Sequence, residues 1–194
     1  MTLGTPNEGK PAAVELETAT LAGGCFWCME AVFRRIKGVY EVISGYSGGD
    51  VENPSYEQVS TGRTGHAEAV QIAFDPLVIS YDSLLEVFWA THDPTTLDRQ
   101  GADVGPQYRS VIFYHSDDQR RTAEASKCRL EASDKLEAKI VTSIEPFKKF
   151  YPAESYHQDY YAANAHASYC SIVIEPKIGK LLHDFEGEVK EEYQ

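Results

Sequence analysis

A stretch patterned as a strand, VELETATLAGG, ends on Gly23 and Gly24, and the residues that follow, Cys25 to Lys37, place Phe26, Met29, Val32, Phe33 and Ile36 at helical spacing. A hydrophobic period that switches from two to 3.6 across a pair of glycines reads as a strand handing over to a helix. Cys25 therefore falls at a helix N-terminus, with Cys28 three residues on.

The same reading continues along the chain. VYEVISGYSGG is strand-like, HAEAVQIAF is a stronger strand, and SYDSLLEVFWATHD is a helix stopped by Asp-Pro. YRSVIFYHS is a further strand, DDQRRTAEASKCRLEASDKLEA a long polar-faced helix, and KIVTSIE a last clear strand before an aromatic, irregular C-terminal third. The order of elements predicts an α+β fold with a mixed sheet. At 194 residues the chain suits one domain, residues 13–185, between a Gly-, Pro-, Thr- and Asn-rich tail at 1–12 and an acidic, solvated tail at 186–194. It is long enough to bury a core without disulfide staples.

Composition narrows the function. A net charge of -12 argues against a nucleic-acid partner, which needs clustered Lys and Arg. There is no basic start followed by an apolar stretch, and no run of roughly 18 apolar residues, so a soluble, cytoplasmic protein without membrane association is expected. In a reducing compartment Cys25, Cys28, Cys128 and Cys170 are expected to be catalytic, metal-binding or buried rather than paired for stability.

Cys25 is the strongest chemical candidate, because free N–H groups and the positive end of a helix favour a thiolate and lower the thiol pKa. Cys28 stands at the spacing of redox dithiols and of zinc knuckles, but no second cysteine pair or His-x3-5-His supplies further zinc ligands. The intervening Phe26 and Trp27 suit the lining of an apolar pocket. Glu68 shares a strand face with Val70, Ile72 and Phe74, while Ala67, Ala69 and Ala73 on the other face suggest burial on both sides. Desolvation there would raise its pKa and keep a proton for donation.

The stretch GYSGGDVENPSYEQVSTGRTGH has acids and no Lys, so it is a loop of turns rather than a phosphate cradle, with Tyr56 as a phenolic donor. Asp103 and Tyr108 lie in a similar Gly-bounded turn. The six histidines lack metal-ligand spacing and read as surface or satisfied residues; Cys128, in register with Ala125, Ala132 and Leu136, reads as core packing. Cys170, before a short apolar run, is either a packed thiol or a mobile resolving thiol.

GGCFWCMEAVF, NPSYEQV, TGHAEAVQIAFDP, VFWATHDPTTLDRQGADVGPQYRS and FYPAESYHQDYY, in this order, make the chain resemble the A-type peptide methionine sulfoxide reductases from about Ala19 to beyond Cys170. The resemblance implies a ferredoxin-like split βαβ core with long wrapping segments, and reduction of the S epimer of methionine sulfoxide, free or in oxidised proteins. By the same resemblance Cys25 attacks the sulfoxide sulfur, Glu68 protonates its oxygen, Tyr56 and Tyr108 hydrogen-bond that oxygen, Asp103 supports the site, and Phe26 and Trp27 hold the substrate methyl. No cofactor is expected beyond thioredoxin or another dithiol as reductant, and the enzyme is expected to be a monomer. Many family members have Gly where this chain has Cys28. Cys170 matches the family's C-terminal resolving position and is expected to form the first disulfide with Cys25, because Cys28, one helical turn in, is expected to point into the packed face beside Met29 and Val32; Cys28 is then the alternative resolver or takes part in a second exchange. The rival classes are a general dithiol-disulfide oxidoreductase and a zinc-binding module.

Overall fold

The computed structural model describes residues 15–133 and 135–194; the expected tail at 1–12 lies outside them. The chain runs β1 (Glu17–Gly23), α1 (Phe26–Phe33), β2 (Val39–Ser47), α2 (Tyr56–Ser60), β3 (Ala67–Phe74), α3 (Tyr81–Thr91), β4 (Arg99–Gln100), β5 (Asp103–Val104), β6 (Ser110–Tyr114), α4 (Asp117–Ala132), β7 (Ser143–Pro146), β8 (Phe150–Pro152), α5 (Tyr160–Ala163) and α6 (Glu175–Asp184). The fold is α+β on a mixed sheet in the order β7–β6–β1–β3–β2–β8. Among its central strands β6, β1, β3 and β2 each adjacent pair is antiparallel, so α1 and α3 each bridge two strands that flank a third. The β6–β7 pair alone among the described strands is parallel, joined over α4.

The two sheet faces are unequal. Ala19, Leu21, Val42, Tyr46, Val70, Ile72, Phe74 and Ile112 form the floor of the main core, on which the helices lie. The opposite face carries a small layer of Ala22, Ala67, Ala69, Val111 and Phe113 under Phe147 and Phe150. Alternation along β3 thus puts Glu68 on the helix-bearing side, as its pattern predicts. Helix α1 is buried almost all round, which is why it is apolar on every side except at Glu30.

Two expectations change here. In α4 the buried residues are Gln119, Ala123 and Ser126, and Cys128 is exposed. A largely polar helix offers two faint small-residue stripes, and the one packed on α3 is fixed by the Trp89 indole donating to Ser126 Oγ at 2.9 Å. The C-terminal third is less irregular than its composition suggests. Residues Cys170–Ile174 form one π-helical turn that leads into α6, whose Ile178 and Leu181 are buried against the core. Cys170 itself is fully buried, so it sits on a packed turn rather than on a swinging arm. In the acidic segment 186–194, Val189 is fully buried and bridges Ile36, while Lys190 N–H donates to the Arg35 carbonyl. No helix among the described residues is long and apolar enough to cross a membrane.

Candidate active site

The site is built where β1 ends. Gly24 adopts a φ of +96°, and a Cβ there would stand 2.6 Å from Gln100 Cγ, so only glycine lets the chain turn past Gln100. Gln100 in turn grips the Asp93 backbone, accepting from its N–H at 2.9 Å and donating to its carbonyl. The turn delivers Cys25 as the N-cap of α1 with extended backbone, φ -58° and ψ 125°, and no side-chain cap.

An N-cap side chain folds over the first turn toward the third helical residue, and here that residue is Cys28. Cys28 lies buried in the main core with Met29 and Val32, and its thiol and that of Cys25 are near enough to influence one another. Tyr169 closes the cluster: its hydroxyl lies 3.9 Å from Cys28 Sγ and donates to Asp103 Oδ2 at 2.7 Å. The helix-start argument for a resting thiolate at Cys25 also fails. Burial first, then the Cys28 and Glu68 groups, push the Cys25 thiol well above its ordinary value, because a sealed site disfavours charge more than one helix end favours it. Cys28 moves the other way, drawn down by its interaction with the Cys25 thiol and by the Lys177 ammonium.

Glu68 is 2% exposed, and its Oε2 accepts from the Phe26 N–H, the first amide of α1, at 3.0 Å. Burial outweighs that amide and raises the carboxyl to about 8. The acid is therefore neutral at pH 7 and holds a proton. Tyr56 and Tyr108 have hydroxyls raised by burial and by the charge of Glu68, which fits their proximity to the same centre. Asp103 adds to the rise at both Glu68 and Tyr108. The structure thus gathers Cys25, Cys28, Glu68, Tyr56, Asp103 and Tyr108 around one point, with Cys170 on the turn just beyond Tyr169.

Phe26 and Trp27 form an aromatic wall whose other half sequence patterning missed. The Trp27 indole N–H donates to His157 Nδ1 at 3.2 Å, and its ring stacks on Tyr160 with centroids 3.7 Å apart and planes 9° apart. His157, expected to be a surface or satisfied histidine, is instead buried among Phe26, Trp27 and Tyr56. Its ring proton is assigned to Nε2 by the bond at Nδ1, and Nε2 has no protein partner. Glu154 holds Tyr56, accepting from its backbone N–H at 2.9 Å and from the Tyr46 hydroxyl at 3.0 Å. The shared motif FYPAESYHQDYY was the available signal for Glu154, His157 and Tyr160; no periodicity marks them. No cluster of His, Cys, Asp and Glu among the described residues has the arrangement of a metal site.

Comparison with known proteins bears on the same residues. The family model described as peptide methionine sulfoxide reductase matches residues 17–189. The chain is 56% identical over 170 residues to the peptide methionine sulfoxide reductase MsrA of Sulfolobus acidocaldarius, covering 88% of this chain and 96% of that protein. Among solved structures it is similar to reduced Mxr1 from Saccharomyces cerevisiae, with 37% identity, a TM-score of 0.74, and 83% of this chain and 92% of that one covered. It is also similar to Mxr1 in complex with Trx2, at 29% identity and a TM-score of 0.53, covering 79% of this chain and 90% of that one.

Proposed function

The chain belongs to the peptide methionine sulfoxide reductase family, and from that premise we propose that it reduces the S epimer of methionine sulfoxide, free or in oxidised proteins, through Cys25 and Glu68. The observation that carries the reading is a buried carboxyl, Glu68, held by the amide of the residue that follows a buried thiol, Cys25, where burial favours its protonated form. Sulfoxide oxygen leaves poorly until protonated, and a dry site keeps the donor protonated. Phe26 and Trp27 receive the methyl group, Tyr56 and Tyr108 hold the oxygen, and Asp103 orients Tyr169 at the rim.

The steps balance as follows. The Cys25 sulfur attacks the sulfoxide sulfur as Glu68 gives its proton to the oxygen, and the thiol proton returns to Glu68. The hydroxyl then passes from the substrate sulfur to the Cys25 sulfur: the substrate S–O bond and the new S–S bond break, an S–O bond forms on Cys25, and the substrate leaves with the S–S electron pair as the two-electron-reduced thioether, so that Cys25 holds the oxygen as a sulfenic acid. A second thiol then displaces that oxygen as water and forms a disulfide. The nearness of Cys25 and Cys28, three residues apart at the start of α1, and the lowered Cys28 thiol favour Cys28 as this first resolver, ahead of the expected Cys170. Cys170, whose thiol is raised by burial and by the nearby Cys28, then exchanges with Cys28. A dithiol reductant, thioredoxin, restores the thiols.

Free thiols at rest suit the cytoplasm, and a site completed by one chain suits a monomer with a single catalytic domain and no resident cofactor. The test is turnover of the S and R sulfoxide epimers with a dithiol reductant, using the parent and Cys25→Ser. Turnover of the S epimer only, lost in Cys25→Ser with the fold retained, is expected. Comparable turnover of both epimers, or an active Cys25→Ser, would overturn the assignment.

A further inference from the structure

Glu30 is the one acid in α1, it is 2% exposed, and none of the steps above uses it. A carboxyl is an unfavourable choice for a helix packed on all sides, and burial holds it above the ordinary glutamate range despite the Asp159 amide and Arg34. An apolar side chain would pack there at lower cost. What the carboxylate supplies is an acceptor. Its Oε1 takes the Asp159 backbone N–H at 3.1 Å, and the neighbouring Tyr160 amide also favours the charged form.

Asp159 has left-handed backbone, φ 53°, and its own carboxylate pairs with Arg34, whose guanidinium also lies 3.9 Å from Glu30. The chain on either side of this grip carries His157 and Tyr160. These are the two residues that fix the Trp27 indole, one by its N–H and the other by its face. Glu30 stands three residues beyond Trp27 on the same helix, so one short helix provides both the indole and the anchor for what orients it.

We infer that Glu30 is a positioning residue for the substrate-methyl wall: by gripping the backbone at Asp159, next to Tyr160, it sets the plane of the Trp27 indole. The inference rests on the reductase reading above, and it assigns Glu30 to binding rather than to chemistry. Gln in its place offers the Asp159 N–H a neutral, weaker acceptor; Ala offers none.

The test uses the full chain with Trp89→Phe as the parent, which leaves Trp27 as the only indole of the two in the sequence. Kinetics with N-acetylmethionine S-sulfoxide and dithiothreitol are read beside acrylamide quenching of Trp27 fluorescence. Glu30→Gln should raise KM about threefold and Glu30→Ala about tenfold, with kcat within about twofold, the pattern of lost ground-state binding. Quenching should increase in the same order. Parent-like KM and quenching in Glu30→Gln, or a fall in kcat at unchanged KM, would overturn the inference. If Glu30→Ala does not fold, the isosteric Glu30→Gln decides alone. A parent with no turnover would instead strike the reductase reading, and quenching would still judge the grip.

Discussion

The backbone N–H of Phe26 donates to Glu68 Oε2 at 3.0 Å, tying the first amide of α1 to a carboxyl on the middle of the sheet. One oxygen is thereby committed as an acceptor, and the proton resides on the other. The helix start that was expected to activate the thiol serves instead to orient the acid.

Because Glu68 acts in its protonated form, kcat should hold near neutrality and fall by about tenfold per pH unit above about pH 8. Glu68→Gln keeps the shape without the proton, and turnover should drop by about 10²-fold or more with that limb gone. Single-turnover rates between pH 6 and 10 check this. A variant with the parent's rate would assign proton donation to a tyrosine or to water.

The same shift has a consequence for stability. The folded value, about 8, lies above the ordinary 4.5, so the neutral carboxyl's contribution is fully present below 4.5 and is lost as the pH rises through about 8. Glu68→Gln should match the parent's stability at pH 4 and exceed it by several kcal/mol at pH 9. Urea unfolding at the two pH values reads the difference directly. Equal stabilities at pH 9 would mean that Glu68 ionises in the fold without cost.

Gly24→Ala tests the turn that presents Cys25. The left-handed backbone alone costs about 1–3 kcal/mol for a side chain, and the added Cβ would meet Gln100 at its Cβ and Cγ, atoms too close to the backbone to swing away. Lower stability and lower turnover are expected together, with Gln100→Ala restoring part of the stability and none of the strain. Unchanged denaturation and activity in Gly24→Ala would show that the turn tolerates another path.

How much of this was legible in the sequence follows from the range of the contacts. The strand-to-helix turn at Gly23 and Gly24, and the face on which Glu68 lies, are local matters of period, and both stand in the structure as read. Trp27 and His157 are 130 residues apart, and no local pattern joins them. Helix α6 was hidden because Pro176 and Gly179 break its propensity, although Pro is tolerated in a first helical turn. The acidity of Cys25 was misjudged for a related reason: a helix dipole can be read from sequence, but the burial that opposes it cannot.

The order of disulfide exchange that we propose follows from where the three thiols lie. Cys25 is an N-cap, outside the helical turn, so its sulfur can meet that of Cys28 without unwinding α1, whereas Cys170 is fully buried in a π turn beyond Tyr169. One equivalent of sulfoxide without reductant should therefore give a Cys25–Cys28 bridge first, followed by a Cys28–Cys170 bridge. Cys170→Ser should form the first bridge at the parent's rate and stop there, while Cys28→Ser should accumulate the Cys25 sulfenic acid, trapped by dimedone. Peptide mapping at successive times distinguishes the orders. A Cys25–Cys170 bridge that appears at full rate in Cys28→Ser would return the first resolving step to Cys170.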